Sequence, residues 1–398
     1  MLLEECSMTD NPSESTRNHS RRTFILAGGA IGTAALAGCL GDGDGPGGAG
    51  LGGGSGGSGE VTDPMVSDDF DPQNPDWENN NYLGSKMAEH NYIRGSEFDL
   101  EEMGNRGRTE AIYGQEPAEN PDNSSDWIDP DPIVFADLPR EDSQQAYADQ
   151  LEPMIEKLEA ETGRTVEFQT IDSYAAVVEG MRSERIHIAN YSTGNTPFGV
   201  NMASMVPLAM GVAGDGQFGY RLLAITRADM NDIQSVEDFN DFNAAHTEAS
   251  SNSGNQAPSA LFDEHFGLTV GENYNPEMSG GHEQSARGIA YGDYDCGPIC
   301  STCWEETVEA VDDIDFDDFK VVWAAAPFPP GPIGYRANLH PEIIDGARET
   351  WLNTDWSGTV YGEQAGYPQY VEVDYVNHWH DVMVNQKFNG VEYDADNL

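Results

Sequence analysis

Two short segments place glycine beside hydrogen-bond donors where an apolar-periodic stretch begins: Ser251-Asn252-Ser253-Gly254 and Gly280-Gly281-His282. A tetrahedral oxyanion taken out of water needs several donors, not necessarily a full opposite charge. Hydroxyl, amide and backbone N–H groups at a helix start supply them where the positive end of the helix dipole points outward. Pro258 falls within the first turn of the helix that follows, where its missing N–H costs nothing. His282 donates one ring N–H, or two when protonated. Tyr174, in the first turn of an earlier helix, and Tyr220, at the head of a long β run, add phenolic O–H groups. Tyr191, Ser192 and Thr193 end a parallel strand at its carboxyl edge, where such sheets place ligands. Each of these residues also has a structural reading: an N-cap and turn for 251–254, a polar surface residue for His282, and core packing for the tyrosines.

Cys296, Cys300 and Cys303 form a second cluster. Outside a cell, two of them are expected to pair as a disulfide, leaving one thiol. The spacing C-x3-C-x2-C also approaches that of zinc ligands, with His282 as a conceivable fourth. No second cysteine pair accompanies it, so neither a metal nor another cofactor is expected. Cys300-Ser301-Thr302-Cys303 has redox-motif spacing, but no thioredoxin-like βαβ unit precedes it. His282 and Cys300 can be cast as base and nucleophile, yet nothing in the sequence orients them. With no G-x-S-x-G, H-E-x-x-H or Walker pattern present, the chain is not expected to be an enzyme.

The elements that position these residues begin sharply at Pro132. Residues 133–136 form an apolar strand; Tyr147, Leu151, Met154, Ile155 and Leu158 share one helical face, and Gly163 ends that helix. Pro153 should kink this helix or mark its true first turn. Residues 166–171 alternate as a second strand, Asp172 or Ser173 caps a helix to about Arg182, and 186–191 make a third strand. This succession specifies a parallel sheet with crossover helices. Residues 219–226 and 333–336 read as strands crossing to and from a second α/β unit, which makes a hinge with a ligand cleft between the lobes. The resulting fold class is α/β with two lobes: 131–222 and 326–398 in the first, 223–325 in the second.

Upstream, Arg21 and Arg22 precede an apolar run that ends in Leu36-Ala37-Gly38-Cys39. Twin arginines before a moderately apolar segment specify a Tat export signal, and the final four residues a lipobox whose thiol, on Cys39, takes the lipid. The run is about 13 residues against roughly 20 for a bilayer span, so no permanent membrane helix is expected there. Residues 40–60 are a glycine-rich tether to the membrane. Residues 61–130 are polar with scattered aromatics and no usable motif.

Seventy acidic residues against nineteen basic ones give a formal charge of −51. Such a chain repels itself at ordinary ionic strength, whereas near 1 M salt the Debye length is about 3 Å and the repulsion is screened. A halophilic setting is therefore expected. Aromatics at 10% and the periodicity after 130 argue against a disordered acidic chain. No basic stripe exists for nucleic acid.

The stretches 172–182, Val206-Pro207-Leu208-Ala209, Gly219-Tyr220, 251–254, Gly280-Gly281-His282 and Gly292-Asp293-Tyr294-Asp295 together resemble the phosphate/phosphite/phosphonate binding proteins of ABC transporters. The resemblance implies a type II periplasmic-binding-protein fold, a small oxyanion clamped between lobes, an ABC permease as partner and a monomer anchored to the outer membrane face. It assigns ligand contacts to Tyr174, Tyr220, Ser251, Asn252, Ser253 and His282. Members that hold an aminophosphonate use carboxylates after the Gly-Asp-Tyr-Asp stretch and near the second crossing. Here residues 296–302 and 329–332 contain no acid, which favours an anion without an amine unless Glu305 serves. The neighbouring readings are a two-lobed binder of a sulfonate or a thiamine-type precursor, and a structural surface protein.

Overall fold

The computed structural model describes residues 65–137, 144–171 and 173–394; Arg21, Arg22, Cys39 and the glycine-rich run lie outside the described residues. The first described segment is the polar one to which the sequence assigned no role. Its aromatics are anchors. Phe70, Tyr82 and Tyr92 are buried, and the Phe70 ring centroid lies 4.7 Å from that of Tyr82 and 5.0 Å from that of Tyr92. Strand β1 (Tyr82–Leu83) adds an antiparallel edge to residues 319–324. Helix α1 (Gly84–Glu89) follows directly, and α2 (Glu97–Gly104) starts at a capping box between Ser96 and Asp99. Farther on, Ile128 pairs with Leu339. The extension thus wraps the α/β body and contributes to its core.

The first sheet follows from alternating strands and amphipathic helices: β2 (Ile133–Asp137), α3 (Gln144–Thr162), β3 (Val166–Thr170), α4 (Tyr174–Arg182), β4 (Ile188–Asn190), α5 (Thr196–Ala203) and β5 (Met205–Val212). Strand β2 pairs in parallel with both β3 and β4, as the strand–helix alternation specifies. Tyr147, Leu151, Met154 and Leu158 of α3 are buried against this sheet, and the helix runs through Pro153.

The second sheet is antiparallel. It takes β6 (Leu222–Arg227), β9 (Cys296–Cys300) and β10 (Phe319–Ala324) in the order β1-β10-β6-β9. Between β6 and β9 lie β7 (Ala245–His246), α6 (Ala257–Phe266), β8 (Glu277–Met278) and α7 (His282–Tyr291); α8 (Ser301–Ala310) follows β9. The chain then returns to the first sheet as β11 (Pro332–Arg336), antiparallel to β4 and β5. Helix α9 (Pro341–Leu352), edge strand β12 (Gln369–Glu372), α10 (Tyr375–His378) and α11 (His380–Phe388) complete the body.

Residues 213–221 carry the chain from one sheet to the other, and 325–331 carry it back. The two passages are tied together: Tyr220 and Phe328 exchange backbone hydrogen bonds of 3.2 and 2.8 Å, and Arg221 Nη1 donates to the Ala325 carbonyl at 3.0 Å. Gly219 sets up that contact: its φ is +61°, and a Cβ there would lie 2.0 Å from the Phe328 carbonyl oxygen. Two α/β lobes joined by two adjacent passages can close on a ligand while each sheet stays intact.

Candidate functional site

A cleft of about 750 Å³ opens between the lobes. Its best-defined wall is the turn at 251–256. Ser251 caps this turn, its Oγ accepting the Gly254 N–H at 3.3 Å, while its carbonyl accepts from Asn255 and Gln256 at 3.2 and 2.9 Å. The result is a π-helical turn, Asn252–Gln256, that runs into α6. Glycine is required at 254 because a Cβ would sit 1.9 Å from Thr247 Oγ1. Ser251, Asn252 and Ser253 are buried, and all three line the cleft.

His282 opens α7 after Gly280, whose φ is +91°. Its Nδ1 accepts the Cys300 N–H at 3.2 Å, and its Nε2 lies 3.2 Å from Ser251 Oγ. A backbone N–H only donates, so Nδ1 carries the lone pair and Nε2 the hydrogen, which it gives to Ser251. Desolvation by the surrounding protein pushes the His282 pKa down to about 4, and the ring is neutral.

Tyr220 reaches the same place from the passage between lobes, its hydroxyl accepting the Asn252 Nδ2–H at 3.0 Å. Tyr174 sits in the first turn of α4, capped by Ser173, and its carbonyl accepts from Asn195 Nδ2 at 2.7 Å. Burial raises the pKa of both phenols, so each retains its hydrogen. Ser192 and Thr193 line the cleft as well. The Tyr191 hydroxyl turns away, donating to Met181 Sδ at 3.2 Å.

The cysteines divide. Cys296, Cys300 and Cys303 all carry free thiols in this structure, in place of the expected disulfide. Cys296 and Cys300 occupy the two ends of β9, about 13 Å apart at the rise of an extended strand, and a disulfide requires Cα atoms within roughly 7 Å. Cys296 is instead packed in an apolar cluster with Ala224, Phe239 and Phe262. Cys300 caps α8, its Sγ accepting the Cys303 N–H at 3.4 Å. His282, Cys300 and Cys303 place one ligand atom each within 4.8 Å of the others. The Cys300 N–H occupies the Nδ1 lone pair, however, and the other ring nitrogen bears hydrogen, so the imidazole as oriented offers nothing to a metal.

Other cleft residues escaped the sequence reading. Arg94, from the N-terminal extension, brings a guanidinium to the lining, where no lysine is found among the described residues. Nothing in the pattern of that segment marks it. Asp137 and Asn190 end β2 and β4 and line the same space; the carboxyl-edge rule would have found them. Residues 296–302 and 329–332 carry no acid, but Asp137, Glu306 and Glu363, from outside those stretches, line the cleft. Glu305 instead faces Arg94 at 3.8 Å.

Comparison with known proteins agrees with this architecture. Residues 135–378 match the family described as "ABC transporter, phosphonate, periplasmic substrate-binding protein". The phosphate-import protein PhnD of Mycolicibacterium smegmatis is 32% identical over 228 residues, which cover 54% of this chain and 70% of that protein. A binding-protein component of an ABC phosphonate transporter from Pseudomonas aeruginosa superposes with a TM-score of 0.56 at 21% identity, covering 67% of this chain and 90% of that one. PhnD1 of Prochlorococcus marinus, solved with methylphosphonate, gives 0.51 at 13% identity, covering 65% and 98%. The fold is that of the type II periplasmic binding proteins. The chain belongs to the family of phosphonate-type periplasmic substrate-binding proteins of ABC transporters.

Proposed function

We propose that this chain captures a small phosphorus oxyanion (phosphate, phosphite or a simple phosphonate) in the interlobe cleft and hands it to an ABC permease. One observation carries the reading: neutral donors from separate elements, at Ser251, Ser253, Tyr174 and Tyr220, converge on one cleft, with His282 giving its ring hydrogen to Ser251 and so leaving the Ser251 hydrogen for the ligand. Such a set solvates an anion without buried cations, which suits a chain of formal charge −51. Two similar proteins, a phosphate-import protein and one solved with methylphosphonate, point the same way. In this reading the protein is a monomer of a high-salt organism, exported through the Arg21-Arg22 signal. The lipid on Cys39 holds it at the outer face of the membrane.

Calorimetry of the full chain near 1 M salt tests the proposal with phosphate, phosphite and methylphosphonate. Tight binding of at least one is expected. Ser251→Ala should raise its Kd at least tenfold, since a hydrogen bond to a charged group is worth about 1.5–3 kcal/mol. If only a sulfonate or an aromatic heterocycle bound, or if Ser251→Ala left affinity unchanged, the assignment would be wrong. Cys39→Ser should release the chain from the membrane into the medium; continued membrane attachment would refute the anchor.

A further inference from the structure

The N-terminal extension crosses the hinge. Upstream of the crossing, Phe70 and Tyr82 pack into the second lobe with Ile225 and Val321. Downstream, Met103 packs with Val212, and Asn120 Nδ2 donates to the Ala337 and Leu339 carbonyls at 2.7 and 2.8 Å, on the first lobe. Between these anchors, residues 92–96 lie on both passages that join the lobes. Gly95 and Phe218 exchange backbone hydrogen bonds of 2.8 and 3.0 Å. A Cβ at Gly95 would lie 2.7 Å from the Phe218 ring and 2.8 Å from Pro327, so the absence of a side chain lets the segment seat against both passages at once. The Arg221 guanidinium carbon stands 4.1 Å over the Tyr92 ring, and the Ile93 carbonyl accepts the Ser301 hydroxyl hydrogen. The segment is a third crossing, fixed where rotation of the lobes displaces atoms least.

This crossing delivers Arg94 to the cleft. The backbone on either side of the residue is held by the contacts just described, and its side chain lines the same space as Ser251, Tyr174 and Tyr220. The guanidinium is poorly satisfied there. Its Nη1 donates to the Gly219 carbonyl at a long 3.4 Å, and its Nη2 stands 3.8 Å from Glu305 Oε2, beyond hydrogen-bond reach. The remaining N–H groups have no acceptor among the described residues, and the side chain is 27% exposed, so these donors are reachable from the cleft. A guanidinium is a planar fork that matches a phosphorus oxyanion in both charge and geometry. Among the described residues it is also the one cation in the lining, where an incoming anion otherwise meets the carboxylates of Asp137, Glu306 and Glu363.

We propose that Arg94 is a ligand-binding residue supplied by the N-terminal extension, its guanidinium taking a negatively charged oxygen of the phosphorus oxyanion that the neutral donors hold. This rests on the proposed function of the cleft and adds to it a residue from outside the stretch 135–378 that matches the family. Glu305 is then a competitor of the ligand for the same cation: it keeps the guanidinium loosely until the anion takes it.

The test is calorimetry and stopped-flow kinetics of the full chain near 1 M sodium chloride, with whichever of phosphate, phosphite and methylphosphonate the wild type binds most tightly. At that ionic strength the Debye length is about 3 Å, so a cation that only steers the ligand from afar is screened, whereas one in contact is not. Arg94→Gln removes the charge and keeps an amide; it should raise the Kd at least about tenfold, mainly through faster dissociation. Arg94→Lys restores the charge without the fork and should recover part of the loss.

Glu305→Gln separates ligand binding from tethering. With Arg94 as a ligand-binding residue, removing its competitor leaves affinity unchanged or improves it. With Arg94 as a mere tie between the extension and Glu305, the same change weakens binding in parallel with Arg94→Gln. Should Arg94→Gln fold poorly, the sign of the Glu305→Gln effect decides alone. An unchanged Kd for Arg94→Gln, or weakened binding for Glu305→Gln, overturns the inference and leaves the proposed function standing. Failure of every phosphorus oxyanion to bind the wild type overturns both.

Discussion

The Cys300 thiol is drawn two ways. Burial pushes its pKa up, while hydrogen bonds from the Cys303 thiol, the Thr302 hydroxyl and the Cys303 N–H bring it below the ordinary value. The Cys303 thiol, which gives its hydrogen to Cys300, is raised. Glutathione disulfide should therefore react at Cys300: the thiolate attacks and expels glutathione, and Cys303 then displaces the second glutathione to close a Cys300–Cys303 disulfide. Mass spectrometry after alkylation should find this pair linked and Cys296 still a thiol. Cross-linking through Cys296, or three alkylatable thiols after oxidation, would contradict the geometry. At this scale the sequence was informative wherever a side chain belonged to a turn with its own chemistry. Ser251 opens a turn that requires Gly254, and His282 follows two residues after Gly280, whose φ is positive. Arg94 had no such mark, because its place depends on Phe70, Tyr82 and Tyr92 docking an aperiodic segment onto the second lobe.

Helix α11 and the residues that flank it bond to both walls of the cleft. Trp379 Nε1 donates to the Thr193 carbonyl at 2.9 Å, and Gln386 Nε2 donates to that of Gly194 at 2.8 Å. Just past the helix, Asn389 Nδ2 donates to the Gln256 carbonyl at 2.7 Å, reaching the turn that carries Ser251 and Asn252. A C-terminal element thus touches both walls of the cleft. Asn389→Ala removes this bond and a second, from the same amide to Gln256 Oε1 at 2.9 Å, and forfeits about 0.5–1.5 kcal/mol of the arrangement that holds the two walls together. The expected result is a Kd for phosphate raised about two- to tenfold, mainly through faster dissociation in stopped-flow measurements. An unchanged dissociation rate with a lowered melting temperature would assign Asn389 to folding alone. Most strands and helices could be read from the sequence because each carries its own period, as β2 through β4 do. Strand β1 could not: two residues have no period, and only pairing with Val321 and Lys320 makes them a strand. The π-turn at 252–256 was read as an ordinary helix start, since nothing local distinguishes Ser251 bonding to Gln256 from Ser251 bonding to Asn255.

For the whole molecule, two electrostatic effects of opposite sign compete. Ion pairs such as Arg164–Asp129 at 2.9 Å and Arg348–Glu372 at 2.6 Å stabilise the surface, and salt weakens them. Each is worth roughly 0–1 kcal/mol. Against them stands the mutual repulsion of a chain with 70 carboxylates and 19 basic residues, which salt relieves. Lowering ionic strength from about 1 M to 0.1 M lengthens the Debye distance from about 3 to about 10 Å, enough for neighbouring surface carboxylates to act on one another. Nineteen cations can pair with only a minority of those carboxylates, so repulsion should win. The melting temperature should fall as sodium chloride is removed, by about 10 °C or more over that interval, given roughly 2–4 °C per kcal/mol for a domain of 150–250 residues. Chloride serves better than sulfate here, because sulfate also strengthens apolar burial and would stabilise a neutral protein. A melting temperature that stayed level, or rose on dilution, would show that the ion pairs outweigh the repulsion, and the high-salt setting would lose its physical basis.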